Sequence, residues 1–132
     1  MNVVDSSGWV EYFTGGANAD LFAPPIQDLA TLLVPTLCMY EVFKRLLASV
    51  GEESALQAIG VMALGHEVEL NRAIALEAAQ ISLDLKLAMA DSIILATAGI
   101  HNARLWTQDE HFKAIDGVSY IENRRQSIDA DD

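Results

Sequence analysis

Very little in this chain could cross-link it, anchor it in lipid or draw it to a polyanion. A single cysteine among 132 residues, Cys38, excludes an internal disulfide. It falls in a helical apolar pattern and reads as a small buried hydrophobe. No apolar run reaches the roughly 20 residues of a membrane span without a charged or strongly polar break, so no membrane partner is expected. The N-terminus lacks a basic segment followed by an apolar one, and Asp5 arrives too early for a signal peptide; a cytoplasmic protein is expected. Basic residues are scarce, eight Lys and Arg against nineteen Asp and Glu, for a net charge of −11. Binding to nucleic acid normally leaves a basic footprint. A nucleic-acid role here therefore needs bound metal to neutralise some carboxylates. Otherwise the acidic surface serves a basic protein partner. No internal repeat, low-complexity tract or linker divides the chain.

What is present is apolar. Hydrophobic residues make up 52% of the sequence, enough for one domain with a real core. Strand and helix signals alternate, which predicts an α/β domain with a mostly parallel sheet and helices on both faces. The strands are Val3-Val4, Leu33-Val34-Pro35, Glu67 to Leu70, Leu105-Trp106 and Val118 to Ile121. The first helix runs from Ser6 to Phe13, capped by Ser6 or Ser7 and stopped by Gly15-Gly16. Pro24-Pro25 predicts a helix from Pro25 to Leu32, because proline suits a first turn. Further helices are expected from Thr36 to Val50, Glu52 to Leu64, Arg72 to Leu85 and Asp91 to Ile100. Thr36 and Asn71 serve as N-caps and Asn102 as a C-cap, and Glu110 to Ala114 is a helical turn. The domain should cover 1–122, with a polar, frayed tail over 123–132.

Four acids stand out against this pattern: Asp5, Glu41, Asp91 and Asp109. Asp5 ends the first strand, and Asp109 follows the strand around Leu105. Asp91 opens a helix too apolar to tolerate an idle charge. Glu41 lies early in its helix, just past a strand end. Strand ends and helix starts converge on one crevice in a parallel sheet. Carboxylates gathered there raise one another's pKa unless a cation sits among them. The natural ion is Mg²⁺, with Mn²⁺ the alternative, and the combination suggests a metal-dependent phosphodiesterase. Each acid also has a plainer reading. Asp5 and Asp109 could be N-caps, Asp91 could complement its helix dipole, and Glu41 could pair with Arg45 at i+4. The spacing of Thr107 from Asp109 lets its hydroxyl orient a carboxylate or a metal-bound water.

The same segments resemble PIN-domain ribonucleases, and specifically the VapC toxins of toxin–antitoxin modules. Val3-Val4-Asp5-Ser6-Ser7-Gly8-Trp9 resembles the family's first motif, and Val34-Pro35 through Glu41-Val42 the second. Leu87 through Ala98, around Asp91, resembles the third, and Trp106-Thr107-Gln108-Asp109 the last. The resemblance implies a PIN-like three-layer α/β/α domain. It further implies an endoribonuclease that cleaves a structured RNA such as tRNA or rRNA once its antitoxin is lost. Asp5, Glu41, Asp91 and Asp109 would be the metal ligands, with Ser6 and Thr107 orienting them. A homodimer and a cognate antitoxin are the implied protein partners. Many relatives carry another Asp two positions after the fourth acid. Here that position is His111, which could reach a phosphate or the metal shell but reads first as a surface histidine, and the loss of one oxygen favours one firmly held ion over two.

Lys44, Arg45, Lys86 and Arg104 are the candidates for holding RNA phosphates. Trp9, Tyr12 and Phe13 read as packing residues before base-stacking ones. The helix Glu52 to Leu64, with the segment Leu21 to Leu32, offers more apolar surface than a small core needs. An antitoxin helix could dock between them, with Ile59 and Met62 at the contact. Rival sites fit less well. A receiver-type phosphate switch needs adjacent acids after the first strand and a late lysine, whereas serines follow Asp5 and Thr107-Gln108-Asp109 contains no lysine. A haloacid-dehalogenase-type site needs Asp-x-Asp, and Ser7 occupies the second position. A binding-only protein of the same fold is the remaining alternative.

Overall fold

Three apolar segments too short to be helices, Asn2–Val4 (β1), Leu32–Pro35 (β2) and Arg104–Thr107 (β4), pair side by side in parallel. They belong to a five-stranded sheet in the computed structural model, which describes residues 1–124. Two edge strands, His66–Val68 (β3) and Val118–Tyr120 (β5), complete the order β3-β2-β1-β4-β5, and every neighbouring pair is parallel. Val3, Val4, Leu32, Val34 and Leu105 have no exposed surface. Strands this apolar must be covered on both faces.

The covering helices are Ser6–Thr14 (α1), Ala19–Gln27 (α2), Thr36–Ser49 (α3), Glu52–Met62 (α4), Arg72–Leu85 (α5) and Met89–Ile100 (α6). Among them α1 packs on α2 and α3, and α3 on α4, while α5 pairs with α6. With the right-handed crossovers that parallel strands follow as a rule, this strand order puts the β1–β2 and β2–β3 connections on one face and the β3–β4 connection on the other. The result is the expected α/β/α sandwich, with a sheet that is wholly parallel. Trp9, Phe22 and Phe112 fill its centre. Trp9 stacks on Phe13 with ring centroids 5.6 Å apart, so the tryptophan is core and not a base platform.

Several boundaries differ from expectation. Asp5, not Ser6 or Ser7, caps α1, and α1 ends at Gly15 with φ of +67°. Gly8 allows this turn to sit tightly: a Cβ there would come within 2.7 Å of Phe22 and Val4. The prolines do not open α2; it starts six residues upstream of Pro25 and contains both. Proline removes a donor and clashes with the preceding turn. Both sit in the last half of a nine-residue helix, so little ladder remains to be lost. Pro35 occupies the N-cap position expected of Thr36, without a side-chain bond. Asn71 does cap α5, accepting from Ile74 N–H. The C-cap of α6 is His101, and Asn102 follows in the left-handed region at φ of 52°. The turn after β4 is a single 3₁₀ turn, Glu110–Phe112. Most of the expected frayed tail, 125–132, lies outside the described residues.

A candidate metal centre at the strand ends

With all strands parallel, their carboxyl ends share one edge of the sheet. The chain proceeds from β1 to one side through β2 and β3, then returns to the other side at β4. The crevice beyond the ends of β1 and β4 is therefore the topological switch point, where open α/β sheets bind ligands. Asp5 directly follows β1, and Gln108 and Asp109 follow β4.

Asp5 is the buried member of the site, only 3% exposed. Ser7 Oγ donates to its Oδ1 at 2.7 Å, Gly8 N–H to the same oxygen at 3.2 Å, and Thr107 Oγ1 to its Oδ2 at 2.8 Å. Each hydroxyl also accepts a backbone N–H from the turn after β4. Thr107 Oγ1 accepts from Asp109 N at 2.9 Å, and Ser7 Oγ from Gln108 N at 3.3 Å. The two hydroxyls thus lock the β1–α1 turn to the β4 turn with the carboxylate between them. Burial pushes Asp5 up to about 7; the hydroxyl and Gly8 bonds pull against that, and the charge of Asp109 adds to it. The N-cap reading of Asp5 holds, its carboxylate accepting from Gly8 N–H, and the same carboxylate is tied through Thr107 to the turn that carries Asp109.

Asp91 and Asp109 meet across the crevice. Asp91 comes from the first turn of α6 and Asp109 from the cap of the 3₁₀ turn, where it accepts from His111 N–H at 3.0 Å. His111 Nδ1 lies 3.1 Å from Asp91 Oδ2 and 3.3 Å from Asp109 Oδ1. Ligating atoms of these three residues all fall within 4.8 Å of one another. Burial raises Asp91, the bond from His111 lowers it, and Asp109 raises it again. The bond to Asp91 raises His111, helped by the charges of Asp109 and Asp91. His111, read from sequence as a surface histidine, is exposed but belongs to the cluster.

Glu41 stands apart from that group of three. Ser6 Oγ donates to its Oε1 at 2.7 Å, so the adjacent serines serve different acids: Ser6 holds Glu41 and Ser7 holds Asp5. No ion pair between Glu41 and Arg45 forms among the described residues. Cys38 lies beneath, fully buried; burial and then the charge of Asp5 raise its thiol well above the usual range. It is the inert hydrophobe the sequence suggested.

An open cleft of about 360 Å³ runs beside the cluster, lined among others by Ser7, Glu11, Arg45, Gln108, Asp109 and His111. A second groove on α3 brings Tyr40, Lys44 and Arg45 alongside Ser6 and Glu41, with Lys44 Nζ 5.7 Å from the Tyr40 ring centre. Of the four candidate basic residues, Lys44 and Arg45 are thus beside the acids. Arg104 is not: it opens β4, whose other end carries the site, and it donates to Ser119 Oγ. Lys86 caps the end of α5 in the left-handed region. Asn18 went unnoticed in the sequence. Fully buried, it donates through Nδ2 to Gln108 Oε1 at 3.0 Å and to the Glu122 carbonyl at 2.8 Å. It positions the segment between Thr107 and Asp109, and its backbone N–H is held by the buried Glu11. Only its contacts across some 90 residues reveal this.

The donor set fits a divalent cation. It supplies carboxylate oxygens and an imidazole nitrogen at separations one ion can span, beside a desolvated carboxylate that has no ion-pair partner among the described residues.

The docking surface expected on α4 requires correction. Met62 is fully buried, and Ile59 packs against the core. The outward apolar residues are Leu56, Val61 and Leu64. A groove of about 510 Å³ lies between α1, α3 and α4, lined by Phe13, Leu46, Val50, Ala58 and Val61, without residues of Leu21 to Leu32. Among the described residues, no helix is long and apolar enough to cross a membrane.

Residues 3–118 match the family model of the PIN domain. No curated protein matches the chain in sequence. Solved structures match it in fold. A toxin–antitoxin complex from Klebsiella pneumoniae superposes with a TM-score of 0.76 at 22% identity, covering 92% of this chain and 99% of that one. VapC20 of Mycobacterium tuberculosis, a sarcin–ricin-loop-cleaving toxin, gives 0.73 at 13% identity, covering 92% and 98%. VapBC2 of Rickettsia felis, bound to a promoter DNA fragment, gives 0.73 at 15%, covering 92% and 97%.

Proposed function

The chain belongs to the PIN domain family, and on that premise we propose that it is a metal-dependent endoribonuclease, the toxin of a toxin–antitoxin pair. The observation that carries this reading is the convergence of Asp91, Asp109 and His111 on one crevice, with Asp5 buried beside them. The metal ligands are Asp91 and Asp109, with Asp5 and Glu41 acting directly or through water. Mg²⁺ or Mn²⁺ held there would lower the pKa of a bound water and neutralise charge developing on the phosphate. Thr107 and Ser7 hold Asp5 in place, and Ser6 holds Glu41. Lys44 and Arg45, the basic residues flanking the acids, take the RNA phosphates. Scarcity of basic charge elsewhere suits a local contact at the cut site better than a long electrostatic track. The substrate is a structured RNA such as tRNA or rRNA, met in the cytoplasm.

A cognate antitoxin restrains the enzyme, favoured by a net charge of −11 that attracts a basic protein. The protein works as a homodimer. The test is cleavage of total cellular RNA by purified protein, with 5′-end sequencing of the products. Cleavage at discrete sites, lost in EDTA and in Asp91→Asn, is expected. Intact RNA with both Mg²⁺ and Mn²⁺ present would favour a binding protein of the same fold.

A further inference from the structure

The position of His111 bears on which ion the site accepts. Its ring nitrogen Nδ1 points at oxygens of both Asp91 and Asp109, 3.1 and 3.3 Å away. Around an ion with bonds of about 2.1 Å, neighbouring donors in an octahedral shell lie roughly 3.0 Å apart and opposite donors roughly 4.2 Å apart. The three donor atoms, all within 4.8 Å of one another, therefore need only small shifts to share one ion. The ring is set by its own backbone: His111 N–H bonds the Asp109 carboxylate, which caps the 3₁₀ turn. That bond fixes the side chain's point of origin beside the acids. Donor type then decides selectivity. Mg²⁺ demands oxygen and keeps its waters, whereas first-row transition ions accept imidazole readily.

We propose that His111 is a direct ligand of the bound ion and that it makes the site prefer a first-row transition ion such as Mn²⁺ over Mg²⁺. This rests on the metal-centre reading above and narrows it. The same contacts could instead be a clasp, in which protonated His111 bridges two carboxylates and leaves when metal arrives. The two arrangements differ in one respect: only the ligand places nitrogen on the ion.

Pulsed electron paramagnetic resonance of the full chain with one equivalent of Mn²⁺ reads this directly. A ¹⁴N coupling from a bound imidazole is expected in wild type and should vanish in His111→Asp. The side chain is 69% exposed on a short turn, so the substitution leaves the core untouched. Calorimetric titration with Mn²⁺ and Mg²⁺ gives the second readout. Wild type should favour Mn²⁺ by about 100-fold, and His111→Asp should cut that ratio by about tenfold, largely by weakening Mn²⁺. Bound Mn²⁺ with no nitrogen coupling and an unchanged ratio overturns the role of His111 but leaves the metal-centre reading standing. Failure of either ion to bind wild type, with Asp91→Asn indistinguishable from it, overturns both.

Discussion

The two halves of the crevice are built on opposite principles. On the β1–β4 side, Asp5 is buried, and two hydroxyls and a backbone N–H hold its oxygens. On the α6 side, Asp91 and Asp109 are partly open to solvent, and their shared partner His111 is mostly exposed. The buried half is fixed by the fold and carries a standing electrostatic cost. The open half costs the fold little, and its donor atoms already lie within 4.8 Å of one another. The proposed metal-dependent cleavage of RNA would use both: a rigid floor and an accessible rim.

The contrast can be broken first through pH. Asp5 titrates at about 7 in the fold against 3.8 for an ordinary Asp. Between those values the folded chain holds a proton that the unfolded chain has released. The stability contributed is complete below about pH 4 and disappears as pH rises through 7. The full effect is on the order of 4 kcal/mol. Denaturant unfolding in EDTA should therefore give a wild type that weakens from pH 5 to pH 8 far more than Asp5→Asn does. Equal slopes would mean that Asp5 is hydrated and the floor is not dry.

A smaller effect sharpens the hydroxyl lock. Thr107→Val keeps the shape but removes the donor to Asp5 and the acceptor for Asp109 N–H. Unfolding should become easier by about 1–3 kcal/mol, the usual cost of leaving buried polar groups unpaired. A change within a few tenths of a kcal/mol would show that water replaces the hydroxyl. Ser6→Ala, on the Glu41 side, should cost about 1 kcal/mol or less because that bond is only partly buried.

Much of this arrangement was legible in the sequence, and the rest had identifiable reasons not to be. Short β-branched runs and 3.6-residue periodicity located the strands and most helices, because both patterns are local. The approach of Asp91 to Asp109 was legible from their placement near a helix start and a strand end, which a parallel sheet brings to one edge, whereas Glu41, inside α3, lies outside that group. Pro24-Pro25 misled because proline signals a helix start only by preference, and a short helix tolerates it near its end. His111 is the surface histidine expected, but its contact with Asp91 was not legible because that partner is 20 residues away, at the start of α6. Asn18 was invisible for the same reason: its bonds reach Gln108 and Glu122. Met62 and Leu56 look alike in a helix that is apolar nearly all round. Only packing on α3 assigns one to the core and the other to the surface.

The claim that one cation is shared by these acids is tested most directly by thermal unfolding with and without divalent metal. An ion that binds only the folded state raises the melting temperature by mass action. At a hundredfold excess over its dissociation constant the gain is about 2.7 kcal/mol, several degrees for a domain of this size. Wild type should melt several degrees higher in millimolar Mn²⁺ or Mg²⁺ than in EDTA, and Asp91→Asn, equally stable in EDTA, should lose most of that rise. Superimposable wild-type melts across EDTA, Mg²⁺ and Mn²⁺ would contradict the account.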